Sequence, residues 1–265
     1  MPPKARSYNS GMRTVVPCLF LATTLAAQDP GRGVNFYSIE KEKALGEHLA
    51  REYRRGADAI DNPELAARID AIGRALVPQQ SRFSYTFTAV EERGLLLNEP
   101  PAFPGGYVFV PSGLILAAES TGEVAAMMAH AIAHVEARHG TKQATKAELV
   151  SRTTVPLIFM GGWTGFAVRQ NAASAIPLGM MKTRREWELQ ADLYGARLMA
   201  AAGIDPAFLA RYLERLQQPD TDPADPRSLL PPLAARLEVL RAQPLSAVAA
   251  RPLPDIRELR TLLAR

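Results

Sequence analysis

His130 and His134 stand four residues apart in the stretch Ser120 to His139, STGEVAAMMAHAIAHVEARH. On a helix, positions i and i+4 lie one above the other on the same face, so both imidazoles would project in one direction. Two imidazoles so placed can share one metal ion. A hydrolytic zinc site needs three protein ligands and an open fourth position, and two histidines with a carboxylate form one common set. A second charged and apolar stretch, Arg184 to Ala202, offers Glu188 as that carboxylate. Asp192, one turn further on, is spaced to accept from an imidazole N–H and fix its orientation. The histidine pair alone does not decide the matter, because two histidines on an alanine-rich helix need no metal to be satisfied.

These side chains require two strong helices, and the sequence supplies them. The first is opened by the capping-box pair Ser120 and Glu123 and closed at Gly140, with an apolar stripe of Val124, Met127, Met128, Ala131, Ile132 and Val135. The second runs from about Arg184 to Ala202 and stops at Gly203, after which Asp205 and Pro206 start a helix reaching about Gln217. Upstream, Asn35–Glu52 and Pro63–Leu76 read as amphipathic helices. Phe83–Val90, Gly94–Leu97 and Tyr107–Val110 read as strand material, the last ending at Pro111 as an edge strand would. Pro219–Pro232 reads as a surface loop before a last helix near Ala234–Arg241. The pattern predicts one α+β domain, mainly helical, with a small sheet.

Composition narrows the setting. A net charge of +4 falls to about +1 once Lys4, Arg6 and Arg13 are set aside, which leaves no long-range field to draw in nucleic acid. Those charges precede an apolar run, Val15 to Ala26, and small residues before Gln28: the layout of a secretory signal peptide over residues 1–27, cut after Ala26 or Ala27. The single cysteine, Cys18, lies inside it, so the mature chain would hold metal by histidine and carboxylate alone. The mature domain, 28–265, divides into a helical part (35–78), a core bearing the site (83–218) and a C-terminal loop and helix (219–265). Within 153–181 an apolar run broken by Pro156, Gly161, Gly162 and Gly165 is too short to span a membrane, and peripheral membrane contact is the alternative to a buried role.

HAIAH with the following VEARHG, the upstream PGGYVFVPSGLILAAES and the downstream RREWELQADLYGARLMAAAGIDP together resemble the gluzincin metallopeptidases related to HtpX, BepA and the CAAX prenyl proteases, in their exported single-domain form. The matched segments run from about Asn98 to Pro206. The resemblance implies a zincin-like domain whose sheet borders the metal cleft by its edge strand. It assigns His130 and His134 as the helix ligands of zinc, Glu188 as the third ligand, and Asp192 as the close of an ExxxD motif. Gly105, Gly106 and the strand Tyr107, Val108 and Phe109 match the family's edge strand, where extended or unfolded polypeptide adds by strand pairing. Read without the family, the Gly-Gly is an ordinary tight turn.

Two departures qualify this. Ala131 follows the first histidine, where the family carries the glutamate that acts as general base, and a methyl group cannot accept a proton. Helical geometry points Glu136 away from the histidine face and puts Glu123 about 10 Å before His130, so neither replaces it. Leu230 stands where members often have a histidine before proline, although Arg236 keeps the arginine position, which holds a carboxylate or a substrate carbonyl. His139, in the last turn of its helix, and His48, on a polar face, have non-ligand explanations. The sequence therefore predicts an exported protein of the periplasm or cell envelope that keeps zinc but is catalytically impaired, a pseudoprotease. The alternatives are an active zinc endopeptidase degrading misfolded envelope proteins, and an engineered glutamate-to-alanine knock-out of one.

Overall fold

Pro63 in the first turn, Asn62 as N-cap and an apolar stripe of Leu65, Ile69, Ile72 and Leu76 make Pro63–Leu76 a helix with the bounds its sequence predicts. The same logic runs through the computed structural model, which describes residues 34–93, 98–150, 178–217, 230–242, 245 and 250–264. In chain order the elements are α1 (Ile39–Gly56), α2 (Pro63–Leu76), β1 (Thr86–Val90), β2 (Ala102–Phe103), β3 (Tyr107–Pro111), α3 (Ser112–Ala117), α4 (Thr121–Glu136), α5 (His139–Val150), α6 (Leu178–Ala201), α7 (Ala207–Leu216), α8 (Leu233–Arg241) and α9 (Ile256–Leu263). The mainly helical α+β reading holds. The expected signal peptide, the 94–97 strand, most of the 153–181 segment and most of the 219–232 loop lie outside the described residues. Among those described, no helix is long and apolar enough to cross a membrane.

The sheet corrects one expectation. Its order is β1-β3-β2, with β3 parallel to β1 and antiparallel to β2. Tyr107–Pro111 is therefore the central strand, not an edge. The proline at its end does not mark an exposed edge, because Pro111 closes the ladder and starts α3. Gly105 (φ 87°) and Gly106 (φ 104°) make the tight β2–β3 turn, and a Cβ on Gly106 would come within 2.7 Å of the Ser84 carbonyl. Val108 and Phe109 are buried, Phe109 against Tyr53 and Phe103 at ring separations of 4.6 and 5.6 Å. The five residues read as a substrate strand thus serve the sheet and its core. β2 is the outer strand on that side, and it packs on α4.

Helix α4 is buried along nearly its whole length, from Thr121 to Val135, its buried polar residues being Thr121, Glu123, His130 and His134. Its chief neighbour is α6. Gly195 of α6 faces the backbone of His130, where an added Cβ would lie 3.0 Å from its nitrogen. A mid-helix glycine costs about 1 kcal/mol relative to alanine, and here it lets the two helices close on each other at the first histidine. α4 ends sooner than its sequence suggests: Arg138 takes a left-handed conformation (φ 58°) and His139 begins α5, with Gly140 inside that helix. Arg138 is held there by Glu42 and the Tyr37 carbonyl, contacts from α1 and its approach.

Candidate metal centre

The two helices bring His130, His134 and Glu188 together. Nε2 of His130 lies 3.1 Å from Nε2 of His134 and 3.3 Å from Oε2 of Glu188, and Nε2 of His134 lies 3.7 Å from that oxygen. Ligand atoms at about 2.0–2.1 Å from one tetrahedral ion sit about 3.3–3.4 Å apart, so these separations match a shared ion. A fourth residue, unforeseen from sequence, joins them: Glu99, whose Oε1 is 3.6 Å from Nε2 of His130. One ligand atom from each of Glu99, His130, His134 and Glu188 lies within 4.8 Å of all the others, and all four side chains are buried.

The atoms around this point favour a cation. Oε2 of Glu188 is buried with no hydrogen-bond partner among the described residues, which is costly for a carboxylate unless a cation meets it. Burial pushes Glu188 upward, but the two histidines hold it well below the usual carboxylate range. Burial would likewise lower His130, yet Asp192 and Glu188 push it up to about 10. Without a metal the site therefore gathers a proton; with neutral imidazoles it can take a divalent ion instead.

Behind the ligands run two orienting chains. Asp192 Oδ1 is 2.9 Å from Nδ1 of His130, and Arg236 donates to both oxygens of Asp192, at 2.7 and 2.6 Å. Arg236 also donates to Gln217, which donates to the Pro231 carbonyl. Of the two roles open to Arg236, its donors thus fill the carboxylate-holding one, in full burial. On the other side, Nδ1 of His134 is 3.1 Å from Nδ1 of His139, and Nε2 of His139 is 2.8 Å from the side-chain oxygen of Gln190. This revises the reading of His139 as a helix-end cation: it is buried, its pKa is driven well below normal by that burial, and it stacks on Trp187. His48 is exposed and away from the site, as expected.

A family model, Peptidase family M48, matches residues 63–244, which include Glu99, His130, His134, Glu188, Asp192 and Arg236. The chain belongs to peptidase family M48. M48 metallopeptidases are metal-dependent, which accords with the buried cluster. Similar proteins include the beta-barrel assembly-enhancing proteases of Vibrio cholerae, 30% identical over 188 residues, and of Escherichia coli K12, 26% identical over 194 residues. Each alignment covers 68% of this chain and 38% of the relative, so the chain spans about two fifths of their length. A mitochondrial metalloendopeptidase of Arabidopsis thaliana is 32% identical over 128 residues, 46% of this chain and 25% of its own.

Position 131 carries a methyl group, which cannot take a proton. Ala131 is buried beside His130. The two carboxylates nearest in sequence are engaged elsewhere: Glu123 accepts from the Glu119 N–H and pairs with Arg215, and Glu136 accepts from Ser81 and from the Tyr85 hydroxyl. Leu230 is buried in the main core.

Proposed function

We propose that this chain is an M48 protein of the cell envelope that retains a zinc centre but is severely impaired in peptide hydrolysis. The observation that carries this reading is Ala131, a methyl group at the position of the general base, with Glu123 and Glu136 tied to other partners. His130, His134 and Glu188 would hold the zinc, as their spacing and the unpartnered Glu188 oxygen support. A zinc ion held there would supply Lewis acidity toward a carbonyl and, at any position left open, a more acidic water. The chain's own residues then do less than an active site requires. Asp192 and His139 orient the imidazoles, and Arg236 holds Asp192, but no residue at 131 takes the proton from an attacking water. Loss of a positioned base costs about 10²- to 10⁴-fold in rate.

The envelope location rests on the signal-peptide pattern of residues 1–27 and on relatives whose names tie them to beta-barrel assembly. Extended or unfolded polypeptide is the partner class, and strand addition on this side of the sheet would have to use β2, which shares a small cavity with His134 through Ala102 and Pro104. The test is chelator-sensitive cleavage of an unfolded protein by the zinc-loaded chain, run beside the Escherichia coli relative. A rate at least about 10²-fold lower is expected. Equal rates would overturn the pseudoprotease reading.

A further inference from the structure

Glu99 belongs to no helix or strand, yet its carboxylate reaches the centre of the molecule. The chain around it fixes that reach from both sides. Asn98, immediately before it, has a left-handed backbone (φ 48°) and hydrogen-bonds the Tyr212 hydroxyl. Pro100, immediately after, confines Glu99 to an extended conformation, and the Pro101 carbonyl accepts from the Phe109 N–H of β3 at 2.8 Å. Glu99 is therefore delivered by an anchored segment, with its side chain buried, rather than swinging in from solvent.

Distance and charge say what it does there. Its separation from Nε2 of His130, 3.6 Å, falls within the 3.1–3.7 Å range of the other ligand pairs. Three carboxylates, Glu99, Glu188 and Asp192, interact with the Arg236 guanidinium. With neutral histidines that leaves an excess of two negative charges in a buried site, the charge a divalent ion balances.

We propose that Glu99 is a fourth protein ligand of this metal centre, filling the coordination position that a hydrolytic site leaves to water. Sites closed by four protein ligands are structural, whereas catalytic ones keep a position open. The chain has thus lost hydrolysis twice, once by removing the base at Ala131 and once by closing the metal with its own carboxylate. This rests on the metal-centre reading above and deepens it.

The experiment is cobalt substitution of the full chain, followed by visible absorption with and without azide as a probe for an open coordination position. The unaltered chain is expected to bind Co²⁺ with a spectrum that azide does not change. Glu99→Ala and Glu99→Gln are expected to give azide-sensitive spectra, and to bind zinc more weakly by more than the 10- to 100-fold typical of losing an orienting partner. A further readout is hydrolysis: Ala131→Glu alone stays inactive, and Ala131→Glu combined with Glu99→Ala gains chelator-sensitive cleavage. An azide-sensitive spectrum in the unaltered chain overturns the proposal, and so do Glu99 variants whose spectrum and affinity are unchanged; in both cases the metal centre itself stands. Failure of the unaltered chain to bind Co²⁺ or zinc removes the centre and the proposal together. If Glu99→Ala does not fold, Glu99→Gln and the azide titration of the unaltered chain still decide.

Discussion

The two histidines of the centre are backed by unlike chains. Behind His130 stands charge: Asp192 and Arg236 form a two-point ion pair sealed from water, extended through Gln217 to the Pro231 carbonyl and so joining α4, α6 and α8. Behind His134 stands a neutral relay within α5 and α6. If Nε2 of His134 faces the metal, its Nδ1 carries the proton and donates to Nδ1 of His139, whose proton then sits on Nε2 and goes to the Gln190 oxygen. That assignment requires His139 to stay uncharged, and its burial ensures it. The difference teaches how one pair of ligands divides its duties. The charged chain favours electron donation by His130 and ties α8 to the site. The neutral chain only fixes the His134 ring, at little electrostatic cost.

The sharpest way to break this comparison is Arg236→Ala. It leaves Asp192 charged in the interior with His130 but no guanidinium beside it, and breaking a buried ion pair typically costs about 3–5 kcal/mol. Denaturant unfolding measures it. A loss below about 0.5 kcal/mol, the scale of a surface change, would show that no buried pair is at work. Glu188→Ala comes next, with a fall in zinc affinity beyond about 100-fold, since it removes a ligand rather than an orienting partner. The exposed Glu186, two residues away, serves as control, and equal effects in a competition titration would displace Glu188 as ligand. The two orienting chains are then compared directly. Asp192→Asn should lower zinc affinity toward the upper end of the roughly 10- to 100-fold range, and His139→Ala toward the lower. Equal losses would mean that charge behind His130 adds nothing.

Much of this centre was legible in sequence because its information is local. An i, i+4 histidine pair and an i, i+4 carboxylate pair on two helices survive folding unchanged, and the α2 bounds followed from a cap, a proline and a stripe. What could not be read is held by distant contacts. The end of α4 at Arg138 depends on Glu42, 96 residues earlier, so the Gly140 signal places the helix end too late and puts His139 in the last turn of α4. The order of the sheet depends on β2, two residues long and without periodicity, so the sequence pattern alone makes β3 an edge. Glu99 lies in a loop, where only its charge between Asn98 and two prolines hinted at a task. Helix α9 was a different kind of omission: Asp255 as N-cap with Ile256, Leu259 and Leu262 on one face did carry the signal.

The smallest effect expected separates the positioning of the ligands from the stability of the fold. In Gly195→Ala the added methyl meets the His130 backbone at 3.0–3.1 Å, and helix backbone can yield there only by moving α6 outward by a few tenths of an ångström. Against this stands the helix-propensity gain of alanine over glycine, about 1 kcal/mol. The two oppose each other, so global stability should change by less than about 1 kcal/mol. Metal affinity has no such compensation. Glu188 and Asp192 ride on the helix that moves, and both charged contacts to His130 lengthen, whereas the His134–His139 contact lies between α4 and α5 and is untouched. Zinc affinity should therefore fall by less than in His139→Ala, about severalfold, while the unfolding midpoint of the metal-free protein barely shifts. A large loss of stability with unchanged affinity would reverse the assignment, making the close approach at Gly195 a matter of core packing alone.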